Sequence, residues 1–313
     1  MAKKVKDPGI GISSNERAKR FIDPDGSFNI KHINRPSSLS ESYEYLISIP
    51  WSKFFLWVLL GYVLINTLFG IIYLAIGISG ITKPTGSIFL DFLNAFFFSA
   101  QTITTVGYGR MAPKGMLLGV ISSFEALIGL LSFSFVTGLL YGRFSKPKAN
   151  IQFSKSIILR KHNGIDCIMF RLMSRSTNIM IRPRIEATLS LSQKGNDEKY
   201  INNFYNLKLE QSSITYLPTT WTIVHAVDDS SPLKDFDRPE LSQLHGEVLL
   251  LISYYDESFA QEVHQAHSYI LKNIRHDEKF IPAFYYDDNG YTILDHNKLD
   301  KTLDDVEDKS YDP

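Results

Sequence analysis

Thr105-Val106-Gly107-Tyr108-Gly109 is the stretch on which the reading of this chain turns. A cation stripped of its water needs a cage of oxygens. Backbone carbonyls supply such dipoles without the desolvation cost of a full charge. For successive carbonyls to point one way, alternate residues must take backbone angles that ordinary residues avoid. Gly107 and Gly109 permit this because they lack a Cβ. Thr105 adds a hydroxyl oxygen at one end. One chain supplies one wall of such a cage, so a closed ring needs several copies. The competing reading is a plain Gly-Tyr-Gly turn in a soluble protein, and the flanking sequence decides between them.

The flanks are apolar. Phe54 to Thr82 carries no charge, and about 20 apolar residues suffice to cross a bilayer core, so this is read as a membrane-spanning helix with Lys53 at its start. Within it, Gly61 and Asn66 are expected to face neighbouring helices. Phe92 to Gly109 is again uncharged, but it turns polar at Gln101-Thr102-Ile103-Thr104-Thr105. It is too short and too polar at one end for a comfortable span. A re-entrant helix followed by extended backbone fits instead, tolerated at membrane depth where it is buried in protein or lines a watery cavity. The C-terminal end of that helix carries partial negative charge and favours a cation.

Met116 to Gly142 forms the second span, interrupted only by Glu125. An ionisable group there is functional or structurally buried. Hydrogen bonding to polar groups of the short helix, supporting the Thr105–Gly109 stretch from behind, is the favoured reading for Glu125. Gly129, Gly138 and Gly142 mark points where this span bends or packs closely. Phe133, Val136, Thr137, Leu140 and Tyr141 form a stripe that either lines a converging pathway or faces lipid. Periodicity alone leaves both open.

Composition divides the chain in the same way. Residues 1–150 hold 15 Lys/Arg against 8 Asp/Glu, whereas residues 151–313 hold 18 against 25. Every long apolar run lies in the basic half. Basic residues precede the first span and follow the second at Arg143, Lys146 and Lys148, which places both termini on the cytoplasmic side. The same three residues are candidates for anionic lipid headgroups. Residues 39–50 are amphipathic, with Tyr43, Leu46, Ile47 and Pro50 on one face: either a short helix lying flat at the cytoplasmic interface with Trp51 as its anchor, or the frayed start of the following helix. Before them, 1–36 reads as a polar, flexible arm with turns at Asp25-Gly26 and Arg35-Pro36, its cluster Arg17, Lys19 and Arg20 either solvated or touching lipid. The single cysteine, Cys167, excludes an intrachain disulfide.

After Lys146-Pro147-Lys148 the periodicity changes. Ile185, Ala187, Leu189 and Leu191 alternate with polar residues. Strand-like runs recur at 151–159, 165–173, 200–210, 219–227, 247–254, 262–271, 279–286 and 291–294, punctuated by Gly164, Gly195-Asn196, Pro218, Ser231-Pro232 and Asn289-Gly290. Many short strands at this spacing predict an immunoglobulin-like β-sandwich. His264 and His267 with Glu262 invite a metal search, but three residues apart on a strand they fall on opposite faces. No nucleophile motif, phosphate loop or paired-carboxylate motif appears, so an enzyme has no support.

The chain resembles the bacterial inward-rectifier potassium channel family. Thr105–Gly109 coincides with the known potassium selectivity-filter string. The more specific likeness lies in Phe96-Phe97-Phe98-Ser99-Ala100-Gln101-Thr102, in Tyr141-Gly142-Arg143-Phe144-Ser145-Lys146-Pro147, and in three soluble-part stretches: Trp221-Thr222-Ile223-Val224-His225, Asp228-Asp229-Ser230-Ser231-Pro232-Leu233 and Val263-His264-Gln265-Ala266-His267-Ser268-Tyr269. The resemblance implies a membrane α-helical two-span pore domain with a re-entrant pore helix, plus a cytoplasmic all-β immunoglobulin-like sandwich. It implies a homotetramer in the bacterial inner membrane conducting K+ passively, gated at the inner-helix bundle, by the cytoplasmic domain and by anionic phospholipid. Thr105, Val106, Gly107, Tyr108 and Gly109 would form the filter. Phe133, Thr137 and Tyr141 would line or close the pore, with Tyr141 at the bundle gate. Where strongly rectifying animal members carry an acidic residue, this chain has Phe133. It also lacks their paired extracellular cysteines and has Gln101 where many carry glutamate. No cofactor, no metal beyond the permeant K+ and no nucleic-acid partner is expected. The expected boundaries are a flexible arm at 1–38, an interfacial slide helix at 39–50 and a pore domain at 51–145. Within the pore domain they are an outer helix at 52–78, a pore helix at 90–102, the filter at 105–109 and an inner helix at 115–142. A β-sandwich at 146–295 and an acidic tail at 296–313 complete the chain.

Overall fold

A computed structural model describes residues 4–14, 19–24, 26–34, 39–147, 149–176, 180–194 and 200–304. Arg17, the Asp25 side of its turn, Arg35-Pro36, Lys148, Gly195-Asn196 and the last nine residues of the acidic tail lie outside these. The chain divides into two compact units, one of 34–146 and one of 1–33 together with 147–313.

In chain order the elements begin with two short strands, β1 (Lys4–Val5) and β2 (Ser13–Ser14). Four helices follow: α1 (Leu39–Ser48), α2 (Trp51–Ile76), α3 (Ile88–Ile103) and α4 (Met116–Ser145). At 1.5 Å per residue, α2 and α4 are about 39 and 45 Å long, enough to cross a hydrocarbon core of about 30 Å. They are the two helices among the described residues long and apolar enough to span a membrane. Pro50 separates α1 from α2, as a residue without an N–H is suited to do at a helix start. The helical unit packs around two clusters. One gathers Phe69, Tyr73, Ala95, Phe98 and Leu118 where α2, α3 and α4 meet. The other gathers Ile49, Phe54 and Leu139, with Leu46 and Ile47 of α1 against it. That second cluster takes up Leu46 and Ile47 of the face read in 39–50, whereas Tyr43 and Pro50 stay exposed.

Glycines set the closest approaches, and they are not all those expected. A Cβ on Gly70 would meet Phe92 and Phe96 of α3 at 3.3 Å, and one on Gly129 would meet the Ile103 carbonyl oxygen at 2.2 Å. Gly142 sits against the Tyr43 hydroxyl of α1, at 2.5 Å from the same hypothetical atom. Gly61 and Gly138 have nothing of their own chain within 4 Å.

The other unit continues with β3 (Ile151–Phe153), β4 (Ile158–His162), β5 (Ile165–Ser174), β6 (Met180–Lys194), β7 (Tyr200–Asn206), β8 (Thr220–Ala226), the one-turn α5 (Arg238–Leu241), β9 (Gly246–Asp256), β10 (Gln261–Ile270), β11 (Arg275–His276), β12 (Glu278–Phe280), β13 (Phe284–Tyr286), β14 (Thr292–Leu294) and β15 (Thr302–Asp304). One sheet runs β1-β7-β6-β9-β10 with β2 also on β7; the other runs β11-β4-β5-β3 with β8 on the remaining edge of β5. The inward faces form one core: Ile185, Ala187, Leu189 and Leu191 of β6 and Val248, Leu250 and Ile252 of β9 meet Ile168, Phe170 and Leu172 of β5 and Trp221 and Ile223 of β8. This is the all-β sandwich that the alternation predicted.

Three expectations need correction. The N-terminal residues are not a free arm: β1 and β2 pair with β7, and Arg20 donates from Nη2 to the Ser268 carbonyl at 2.6 Å. Polarity hid this, because the pairing uses backbone groups that any sequence carries. The sandwich does not end at 295. His296–Lys298 forms a 3₁₀ turn, Leu299 is buried beside Met173 and Ala283, and β15 pairs with β12. Finally, the run 279–286 is two strands in separate ribbons, β12 with β15 and β13 with β14, broken around Pro282.

Candidate functional site: the Thr105–Gly109 wall and its supports

The wall is built by the end of α3. The helix stops at Ile103, and the amides of Val106 and Gly107 both donate to the Gln101 carbonyl, at 3.0 and 3.3 Å. Positive φ then recurs at every second residue: Thr105 at 59°, Gly107 at 49° and Gly109 at 78°, with Val106 and Tyr108 between them at negative φ. In a strand, carbonyls alternate from side to side. Alternating the hand of the backbone turns them to a common side. Two of the three left-handed positions are glycine, as the sequence requires. The third is Thr105, where a β-branched residue stores strain. The side chains of Val106 and Tyr108 are 51% and 78% exposed in the single chain.

Behind the wall lies a closed polar network. Glu125 of α4 is fully buried. It accepts from the hydroxyls of Tyr73 on α2 and Ser99 on α3. Ser99 Oγ also lies 2.9 Å from Asn66 Oδ1, and Asn66 Nδ2 donates to the Tyr62 carbonyl at 2.7 Å. Thus Asn66 of α2 and Glu125 of α4 meet at Ser99 of α3, six residues before Thr105. Glu125 and Asn66 were singled out from the sequence; Tyr73 and Ser99 were not. A signal existed: a polar atom inside an uncharged span needs a partner at the same depth.

Phe133, Thr137 and Tyr141 are all exposed, Phe133 at 73% and Tyr141 at 74%. Spaced four apart, they share a stripe of α4 next to the packed stripe of Glu125, Gly129, Leu139 and Arg143.

Arg143 is placed differently from a headgroup ligand. Its Nη1 and Nη2 each donate at 2.6 Å, to the carbonyls of Leu46 and Ile49 at the end of α1. Its guanidinium lies 4.4 Å from the Trp51 ring and 4.7 Å from the Phe54 ring. Nη1 and Nη2 are taken up by carbonyls that a helix end leaves unpaired, Nε is buried without a partner among the described residues, and Trp51 is a platform for the guanidinium. Lys146 remains exposed, with Nζ 3.2 Å from Ser48 Oγ. Lys148 lies outside the described residues.

The histidine pair does not converge. His264 is exposed, whereas His267 stacks on Phe153 at 4.4 Å between ring centroids. Burial pushes the His267 imidazole down to about 4, with the nearby Arg20 charge acting in the same direction. His225 is likewise buried, held between the Lys208 carbonyl and Ser231 Oγ, and burial lowers its pKa.

The sequence matches two families. Residues 151–311 match the one described as "Inward rectifier potassium channel C-terminal domain", and residues 54–146 match the one described as "Ion channel". The chain is 30% identical over 291 residues to the inward rectifier potassium channel Kirbac3.1 of Paramagnetospirillum magnetotacticum, covering 92% of this chain and 97% of the relative. It is 25% identical over 313 residues to the human inward rectifier potassium channel 18, covering 91% and 71%. It is 25% identical over 316 residues to the mouse ATP-sensitive inward rectifier potassium channel 12, covering 91% and 72%.

Proposed function

Because this chain belongs to the inward rectifier potassium channel family, we propose that four copies surround one axis and conduct K+ passively through a ring of Thr105, Val106, Gly107 and Tyr108 carbonyls, with the Thr105 hydroxyl at the inner end. The observation that carries this is the alternation of positive and negative φ along Thr105–Gly109, which aims successive carbonyl dipoles to one side. The exposed Val106 and Tyr108 side chains support assembly, since neighbouring copies would cover them.

In this reading the exposed stripe of Phe133, Thr137 and Tyr141 faces the axis, and Tyr141 from each copy narrows the inner mouth. Bulky side chains at one level close a pore by dewetting it. The membrane is the bacterial inner membrane, with both termini and the sandwich on the cytoplasmic side, as the basic flanks of the spans favour. Lys146 and Lys148 attract anionic phospholipid, each by about 1 kcal/mol. Arg143 transmits rather than binds: it ties α4 to the end of α1, so a displacement of the interfacial helix reaches Tyr141 two residues away. The function needs no cofactor and no nucleic-acid partner.

Potassium efflux from liposomes containing the purified protein, blocked by barium, tests conduction. Flux is expected in at least one composition spanning neutral to anionic lipid; its absence in all of them refutes the proposal. Gly107→Ala is expected to abolish selective flux while the sizing profile stays unchanged. Unaltered flux through that variant removes the filter assignment.

A further inference from the structure

The basic residues Lys19 and Arg20 were read as a solvated run or a lipid contact. They instead border a cavity of about 130 Å³ on the outer face of the sandwich, over the ends of β6 and β9 and the start of β7. The acid on its wall is already satisfied. Glu247 accepts from the backbone amides of Phe21 and Ile22 and from Ser268 Oγ, at 2.8, 3.3 and 2.5 Å. The hydroxyls of Ser14 and Ser192 are engaged with each other and with Asn202.

What remains is a surplus of donors. Ser190 lines the cavity, and its hydroxyl makes no hydrogen bond to another of the described residues. The rings of Tyr200 and His245 meet edge to face, 6.4 Å between centroids, and neither the Tyr200 hydroxyl nor the His245 imidazole has a hydrogen-bond partner among the described residues. Arg20 spends Nε on the Ile22 carbonyl and Nη2 on Ser268, which leaves Nη1. Lys19 makes no ion pair among the described residues.

We propose that this cavity is a binding site for a phosphate-type oxyanion, either free in the cytosol or carried on a small molecule or headgroup. Lys19 and Arg20 supply charge, and Ser190, Tyr200 and His245 supply directed donors. Tetrahedral oxyanions have enough acceptor lone pairs to satisfy all of them at once. Occupancy bridges the N-terminal segment, which contributes Lys19 and Arg20, to the sheet that contributes the rest. The ligand therefore pins residues 19–22 to the sandwich. The inference is independent of whether the chain conducts.

The test is calorimetric titration of the full-length protein, in a detergent without phosphate, with inorganic phosphate against chloride at matched ionic strength. Saturable binding of one phosphate per chain is expected. Lys19→Ala, Tyr200→Phe and His245→Ala should each weaken it roughly tenfold, the loss of one charge-assisted hydrogen bond. Near-ultraviolet circular dichroism checks that each variant keeps the native fold. Amide exchange of Phe21 and Ile22 should slow on phosphate addition. A parallel titration with dihexanoyl phosphatidate separates the sources: tighter binding than phosphate identifies a headgroup, weaker binding a soluble anion. Absence of saturable binding for both probes, or binding indifferent to all three substitutions, overturns the proposal.

Discussion

The contact between Gly129 and Ile103 yields the most quantitative prediction. A Cβ on Gly129 would stand 2.2 Å from the Ile103 carbonyl oxygen, 2.8 Å from its Cγ1 and 2.9 Å from its carbonyl carbon. Ordinary contact begins at 3.4 Å, so Gly129→Ala must push α4 and the end of α3 apart by roughly 1 Å. The obstacle is backbone, not the mobile end of a side chain. Overpacking of this kind costs about 1–3 kcal/mol. Alanine recovers about 1 kcal/mol of helix propensity relative to glycine, so the net loss is expected at up to about 2 kcal/mol. Gly138→Ala on the same helix meets nothing of its own chain within 4 Å and should keep the propensity gain. The two variants therefore differ in sign. Thermal unfolding in detergent should place Gly129→Ala below wild type and Gly138→Ala at or above it. Because Ile103 lies two residues before Thr105, Gly129→Ala should also lower the K+ over Na+ selectivity of liposome flux. An unfolding midpoint for Gly129→Ala at or above wild type, with selectivity intact, would refute the claim that this contact positions the wall.

Three further outcomes are expected. Glu125→Ala leaves the Tyr73 hydroxyl unpaired in a fully buried site, at about 1–3 kcal/mol, and leaves Ser99 with Asn66 alone, whereas Glu125→Gln keeps an acceptor; unfolding midpoints should fall clearly for the first and little for the second. Arg143→Lys removes one of the two bonds to the end of α1 and the stacking on Trp51; amide exchange in residues 46–49 should accelerate about tenfold, corresponding to about 1.4 kcal/mol. The sandwich should lose stability on acidification through His267. Its folded pKa, about 4, lies below the unfolded value of about 6.5, so the unfolded chain binds the extra proton. The contribution is complete above pH 6.5 and is lost as pH falls toward 4, by about 3 kcal/mol. His267→Phe, which keeps a ring against Phe153, should flatten the pH dependence of unfolding over that window; an unchanged slope would exclude His267 as its source.

Short-range rules made much of the architecture legible. The two spans are long apolar runs, with Glu125 the one charged residue across Phe54–Thr82 and Met116–Gly142, and the membrane allows few other solutions for such runs. The sandwich core follows from the alternation at 185–191, because a period of two fixes which side chains face inward. Gly107 and Gly109 announce their backbone because only glycine adopts it cheaply. The departures all involve groups the sequence does not advertise. Thr105 takes a glycine-like φ. Tyr73 and Ser99 find Glu125 across 52 and 26 residues of chain. Arg143 looks like any basic residue at a membrane exit until α1 brings two carbonyls and Trp51 to it.

The sequence by itself determined the long helices and the main strands of the sandwich, the division into an apolar basic half and an acidic β half, and the choice of Thr105–Gly109 as the candidate wall. Each rests on local periodicity, charge or the backbone freedom of single residues. Only the tertiary structure decided which polar groups are partnered, which glycines are close approaches, that Arg143 holds a helix end, and that the N-terminal segment closes over the sandwich to leave a donor-lined cavity. Those facts depend on atoms brought together from distant parts of the chain, and packing, not local preference, selects them.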